Sequence, residues 1–337
     1  MDCRIFTDPS NGATYDDLLR SARTAEEFGF HGYFLSDHYI AFAGSGLPGP
    51  TDTWTTLAGL ARETTHIRLG SLVTPVTFRH PGALAIIVAQ VDAMSRGRIE
   101  LGLGTGYYEP EHDAYGIPFP PAAERFDRLT EAVDVITGLW TTPTGQRYSH
   151  SSKHFELIDS PALPKPLQQP GPPIILGGVG TKRTPALAAR YANEFNLQTS
   201  KRRKPTAGDQ TSAEPNMQDI ADQIGRVRAA AHDIGRDPTE IIFSMSAAVG
   251  VGHTLVEADA ALDSRHFHSQ VFDGAALRGT PAQVVDQLGP YLELGIARLY
   301  VRAPARIAAT STSLELFASD VLPQLAAASL VPAHDQP

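Results

Sequence analysis

A single cysteine, Cys3, occurs in 337 residues. That excludes a disulfide framework within the chain and a structural zinc site built on several thiolates. Basic residues are also scarce: 28 Lys and Arg against 37 Asp and Glu leave a net charge of -9. A nucleic acid or an anionic membrane surface would want a basic face, so neither is the expected partner. No apolar stretch reaches the roughly 18 uninterrupted residues of a membrane-spanning helix. The N-terminus lacks a basic region followed by an apolar run, so no signal peptide is read there and the expected location is the cytoplasm. What remains is 42% hydrophobic residues and 19% charged ones, enough for a large core. Cys3 lies in the first apolar run and reads as a buried, inert thiol.

Short β-rich runs alternate with helical patterns. Strands are expected at Cys3–Thr7, Gly32–Ser36, Ile67–Val73, Ile99–Gly104, Pro173–Gly177, Glu194–Gln198, Glu240–Val249 and Arg298–Arg302. Helices are expected at Tyr15–Phe28, Thr53–Thr64, Pro81–Ser95, Arg125–Trp140, Thr184–Asn193, Ile220–Asp233 and Pro281–Leu294. Thr14 with Asp17 three residues on forms a capping pair for the first of these, and Thr280–Pro281 opens the last. Eight strands, nearly all followed by a helix, predict an α/β fold closed as a (β/α)₈ barrel; an open doubly wound sheet is the other topology. No composition break divides 1–337, which reads as one domain. Residues 141–173 are rich in Pro, Gly and Gln and read as an excursion after the fourth helix, with room for a small hairpin. The polar stretch 199–218 after the sixth strand holds Lys201–Lys204 and reads either as a solvated charge run or as a lid.

In such a barrel the loops after the C-terminal strand ends build the active site. The suggestive residues fall there: Asp37 and His38 after strand two, Thr74 after strand three, Thr105, Gly106 and Glu109 after strand four, and Gly177–Thr181 after strand five. Glycines between a strand and a helix let backbone N–H groups point at an anion, and Lys182 and Arg183 add charge, so the last run is a candidate phosphate cradle. His38 beside Asp37 is the acid/base candidate. Glu109 and His112 form a second polar pair, with Glu111 and Asp113 read as part of a solvated helix start. No His-Glu-x-x-His spacing occurs, and no metal is expected. Phe42, Tyr39, Trp54, Tyr107 and Tyr108 read either as ordinary packing or as an apolar wall for substrate.

Phe34–Tyr39, Leu69–Pro81, Asp92–Gly106, Glu109–His112 with Ala114–Gly116, Arg125–Glu131, Leu176–Gly178 and Gly279–Ala282 with Gly295 together resemble the luciferase-like family of flavin and deazaflavin oxidoreductases. The resemblance implies a barrel whose mouth holds a tricyclic ring. It also implies a bulge at Ser71, Leu72 and Val73, containing a non-proline cis peptide, behind that ring. The branch using coenzyme F420, an 8-hydroxy-5-deazaflavin, is the nearer one. By that resemblance Asp37 contacts the deazaflavin and His38 donates the proton. Thr74, Thr105 and Gly106 also contact the cofactor, and Gly177 and Gly178, extended by Gly180 and Thr181, hold its phosphate.

The chain departs from the branch's sugar-phosphate dehydrogenases at one position. There a glutamate directly follows the Thr-Gly pair; here Tyr107 does, with Glu109 two residues on as the stand-in catalytic carboxylate. Reduction of a C=C or C=N bond therefore stands beside sugar-phosphate oxidation as the expected chemistry on a small-molecule substrate. An FMN-dependent monooxygenase on the same fold is the alternative. A non-catalytic flavin-binding protein is the alternative of another class, disfavoured by Asp37–His38. Family resemblance also implies a homodimer.

Overall fold

The computed structural model describes residues 1–42, 45–199, 215–263, 275–306 and 311–328. The chain order is β1 (Asp2–Thr7), α1 (Tyr15–Glu27), β2 (Gly32–Leu35), α2 (Thr53–Glu63), β3 (Arg68–Pro75), α3 (Pro81–Ser95) and β4 (Ile99–Gly104). There follow α4 (Glu109–Tyr115), α5 (Ala122–Thr141), β5 (Tyr148–Ser151), β6 (Glu156–Ser160), β7 (Ile174–Gly177), α6 (Arg183–Tyr191), β8 (Glu194–Leu197) and α7 (Met217–Asp233). The chain continues with β9 (Ile242–Val251), α8 (Leu255–Asp263), β10 (Ala275–Gly279), α9 (Pro281–Glu293), β11 (Ile296–Arg302), α10 (Thr312–Leu316) and α11 (Leu322–Ala328).

Parallel pairing runs β11–β1–β2–β3–β4–β7–β8, and β9 joins β8 to β11, so eight strands close a barrel. The predicted α/β barrel is the observed one. The departures are local, and the helices α8, α10 and α11 also lie outside the expected elements. Strand β10 was not anticipated: it pairs with the outer half of β9, Ala247–Val251, beyond the reach of β8, and its five residues are too short to stand out by pattern. The short helix α4 occupies the run read as a solvated start. Helix α7 opens three residues before the expected Ile220, because Asn216 caps it by accepting from the N–H groups of Gln218 and Asp219. Residues 141–173 carry the antiparallel hairpin β5–β6. Of the segment 199–218, residues 200–214 lie outside the described residues.

The strands are nearly continuous apolar runs because both faces are covered. One face packs against the helices in a large core that includes Leu18, Leu57, Leu69, Val88, Leu101, Ile136 and Phe195. The α1 helix is held to it by Leu18, Ala22 and Ala25, all buried, and by reciprocal Thr14–Asp17 capping hydrogen bonds. The other face fills the barrel interior. There Phe6, Phe34, Leu72, Ile175 and Tyr300 form a separate buried cluster. Below it, Arg4 is fully buried, its guanidinium 5.1 Å from the Phe34 ring centre. Arg4 pairs with Glu100 at 2.6 Å and Asp2 at 2.8 Å, and Arg298 pairs with Glu194 at 2.5 Å and Asp2 at 2.8 Å. Arg68 also pairs with Glu100. A cavity of about 610 Å³ opens at this N-terminal end, lined by Arg4, Arg68, Glu100 and Arg298 among others. Its charged walls are committed to one another, as suits the stability face of such a barrel.

Candidate active site

The opposite, C-terminal rim is where the predicted site residues converge. Strand β2 delivers Ser36, Asp37 and His38. Asp8, just past β1, accepts hydrogen bonds from the Ser36 hydroxyl at 2.7 Å and the Ser10 hydroxyl at 2.7 Å, tying the first two strand ends together. Asp37 is fully buried. Its Oδ2 accepts from Arg79 Nη1 at 2.5 Å, and Arg79 also reaches Asp52 and the Tyr39 hydroxyl. Burial pushes the Asp37 pKa up, against the attraction of Arg79. The carboxylate expected to meet a cofactor is thus turned into an ion pair behind the rim.

His38 stays at the surface of the mouth, its side chain 11% exposed. Its Nδ1 lies 3.0 and 3.1 Å from the two carboxylate oxygens of Glu111. Its Nε2 makes no hydrogen bond among the described residues and is absent from the buried unpartnered atoms, so it opens to the mouth. Burial alone would depress the His38 pKa. The Glu111 hydrogen bond and the charges of Asp8, Glu111 and Asp37 outweigh it, and the net shift is upward.

The carboxylate that reaches His38 is Glu111, not Glu109. Glu109 is the exposed first residue of α4, near Arg125. Glu111 is two residues along, where the helical turn carries it to the inner face, and is only 1% exposed. The two differ by about 200° around the helix, which is why one faces water and the other the rim. His112, next to it, is buried, with Nε2 2.7 Å from the Thr77 hydroxyl and Nδ1 2.9 Å from the Tyr108 carbonyl. The signal that would have found Glu111 was its helical spacing beside Tyr108 and His112, the residues around α4 that turn inward.

Strand β3 breaks its register with β4 between Ser71 and Thr74. The Leu72–Val73 peptide inside that bulge is cis, where the resemblance implied it. Leu72 and Val73 face the barrel interior. Ser71 and Thr74 do not: both are fully buried. The Thr74 hydroxyl donates to Ser71 Oγ at 3.0 Å and accepts from Trp54 Nε1 at 2.9 Å, and Ser71 donates to the Gly102 carbonyl at 3.1 Å. These hydroxyls hold the bulge in place from behind. Trp54, 2% exposed, belongs to that support and is no part of a substrate wall.

Thr105 and Gly106 lie half-buried at the end of β4, and Gly106 takes a φ of +73° that suits glycine. The Gly177–Thr181 turn joins β7 to α6. Helix α6 starts without a side-chain cap, so its first N–H groups are left for an outside acceptor. A Cβ on Gly177 would stand 2.7 Å from the Asn196 carbonyl, and one on Gly180 would collide with the Thr184 hydroxyl. The glycines therefore let the turn lie close against Asn196 and Thr184. Arg183 does not serve it: its guanidinium pairs with Asp127 and lies 4.3 Å from the Phe126 ring centre.

Around His38 the rim is aromatic. Phe42 and Tyr107 meet its ring edge-on at 4.6 and 5.6 Å, and Tyr39 stacks on Phe78 at 4.4 Å. Tyr107 is 42% exposed and offers its ring to the mouth. One acid/base imidazole, an apolar floor of Leu72 and Val73, and an uncapped helix N-terminus share one rim.

The chain belongs to the luciferase-like monooxygenase family, whose signature matches residues 2–271. It is 28% identical over 326 residues to the F420-dependent glucose-6-phosphate dehydrogenase of Microbacterium testaceum (strain StLB037), covering 92% of this chain and 93% of that one. It is 30% identical over 171 residues to the oxygenase component of flavin-dependent trigonelline monooxygenase from Acinetobacter baylyi (strain ATCC 33305 / BD413 / ADP1), covering 51% of this chain and 45% of that one. Long-chain alkane monooxygenase (LadA) has the same fold, with a TM-score of 0.80 at 18% identity, covering all of this chain and 93% of that one.

Proposed function

We propose that this protein is an F420-dependent oxidoreductase in which a hydride passes between the deazaflavin and a small organic substrate, with His38 moving the accompanying proton. The observation that carries it is the His38 imidazole, open to the mouth at Nε2 and backed by a buried carboxylate, on the same rim as the uncapped α6 turn. Full-length similarity to a dehydrogenase named as F420-dependent supports the choice of cofactor.

The bound deazaflavin would supply the hydride chemistry, and the protein orientation and electrostatics. Leu72 and Val73 would back the ring. Gly177, Gly178, Gly180 and Thr181 would hold the phosphate with backbone N–H groups. Thr105 and Gly106 would flank the ring's edge. Asp37, Ser71 and Thr74 would act from behind, by fixing Arg79 and the bulge. The place next to Gly106 is the aromatic Tyr107 and not a carboxylate, and Glu109 points to water. That favours an apolar substrate with a reducible C=C or C=N bond over a sugar phosphate.

The test is a fluorescence titration of the purified protein with F420 and with FMN, followed by turnover of the loaded enzyme. Binding of F420 in preference to FMN is expected. His38→Ala should keep F420 affinity and lose roughly 10²- to 10⁴-fold in kcat, the usual worth of a general acid. Preferential FMN binding with oxygen consumption would replace this reading with the monooxygenase one. Cofactor binding without any turnover would point to a storage protein.

A further inference from the structure

We propose that Glu111 is the positioning residue of the His38 acid: it holds the imidazole in one tautomer and one orientation, with Nδ1 against its carboxylate and Nε2 facing the barrel mouth. The inference rests on His38 being the proton donor, but its structural half stands without it. A carboxylate only accepts hydrogen bonds, so the Nδ1 it faces at 3.0 Å must carry a hydrogen. The proton that titrates is then the one on Nε2, the nitrogen open to substrate. Glu111 also accepts from the Tyr39 backbone N–H at 3.0 Å, so the same carboxylate fixes the loop on which His38 rides. Phe42 and Tyr107 flank the imidazole edge-on at 4.6 and 5.6 Å.

The charge that Glu111 places against Nδ1 also stabilises the imidazolium. The other groups facing His38 are Asp8 beyond β1 and Asp37 beside it. Asp8 is shared with the Ser10 and Ser36 hydroxyls, and Asp37 with Arg79. Tyr107 contributes its ring, and Arg302 at the end of β11 faces Asp8 and Tyr107. Glu111 is the one among them in hydrogen-bond contact with the imidazole. Removing its charge while keeping its shape should therefore lower the pH at which His38 gives up its proton.

The experiment compares wild type and Glu111→Gln as full-length, F420-loaded protein. Nitrogen-15 spectra of the histidine ring should show the Nδ1–H tautomer in wild type above its midpoint. In Glu111→Gln the midpoint should fall by about one pH unit, with the alkaline limb of the kcat/KM profile moving by the same amount. Activity at pH values above that limb should then fall about tenfold, while F420 affinity stays unchanged. Glu111→Asp should restore part of the shift. An unmoved midpoint and profile, with only lowered stability, would overturn the proposal and leave Glu111 a scaffold residue. Should Glu111→Gln not fold, the wild-type spectrum decides: an Nε2–H tautomer overturns it, an Nδ1–H tautomer upholds it. A wild-type protein that binds no F420 would sink the cofactor reading while leaving the tautomer test intact.

Discussion

Replacing Arg79 by methionine should be far more damaging than the loss of an ordinary rim arginine, since its side chain is only 12% exposed. Arg79 touches three partners, and they are not equal. Asp52 is 37% exposed and is also satisfied as the cap of α2, accepting from the Thr55 N–H at 2.8 Å. It loses little, about 0–1 kcal/mol, like other solvated pairs. The Tyr39 hydroxyl can turn to water. Asp37 has no such recourse: it is fully buried and Arg79 supplies both of its ionic contacts. Breaking a buried pair from one side leaves an uncompensated charge and costs about 3–5 kcal/mol. The protein escapes part of that cost by protonating Asp37, whose folded pKa is already raised by burial. The sign follows from linkage. A folded pKa above the unfolded value of roughly 3.9 means stability is undiminished below that pH and is withdrawn as pH rises, by about 1.4 kcal/mol per unit, until the folded pKa is passed. The Arg79→Met penalty should therefore be small near pH 4 and grow towards neutrality. Urea unfolding at several pH values reads this directly. Arg79→Met with Asp37→Asn should recover most of the loss at pH 7. A single-variant penalty below about 1 kcal/mol at pH 7, or one that does not shrink on acidification, would refute the assignment of the cost to a stranded Asp37.

Two further outcomes follow from equally local geometry. Glu26 accepts the backbone N–H groups of Thr65 at 2.9 Å, His66 at 2.6 Å and Ile67 at 2.8 Å, clamping the end of α1 to the start of β3. These bonds outweigh its burial and lower its pKa, so its contribution is present above the ordinary glutamate range and lost as pH falls through the folded value. Glu26→Ala should cost about 1–3 kcal/mol at pH 7 and much less near pH 3 in thermal unfolding. Gly180→Val should weaken F420 binding by at least about tenfold and cost about 1–3 kcal/mol of stability, as the added side chain meets the buried Thr184. Titration and unfolding on the same sample separate the two effects.

The fold was legible because the barrel imposes a simple rhythm. Seven helices and eight strands announced themselves through apolar spacing, and Thr14–Asp17 and Thr280–Pro281 marked helix starts that are real ends in the structure. β10 was not legible, since five residues pairing with the tail of one strand leave too little pattern to read. The site was legible in position and less so in direction. Asp37, Ser71 and Thr74 stand at the strand ends where the mouth was expected, yet their polar atoms point backwards into Arg79, Trp54 and Gly102. Sequence spacing says which loop a residue is on; only tertiary neighbours say which way its oxygen turns. Glu109 and Glu111 show the same limit within one helix. Both are carboxylates just past Gly106, and the choice between them depends on how α4 leans on the β2 loop, through Tyr39 and His38.

The two ends of the barrel use buried charge for opposite purposes. At the floor, Arg4, Arg68 and Arg298 answer Asp2, Glu100 and Glu194, charge for charge, and the arginines reach all three carboxylates. A closed set of this kind gains little net energy over apolar packing, because desolvation offsets attraction, but it penalises any strand register that separates the partners. At the mouth the balance is left open. Asp8, Asp37 and Glu111 surround one imidazole; Arg79 pairs with Asp37 and Arg302 faces Asp8, while Glu111 meets His38 itself. That negative charge raises the His38 pKa against the effect of burial. A further fixed cation beside His38 would oppose that upward shift. If His38 is the proton donor proposed above, the asymmetry between the ends separates a floor of mutually paired charges from a mouth whose imidazole exchanges a proton.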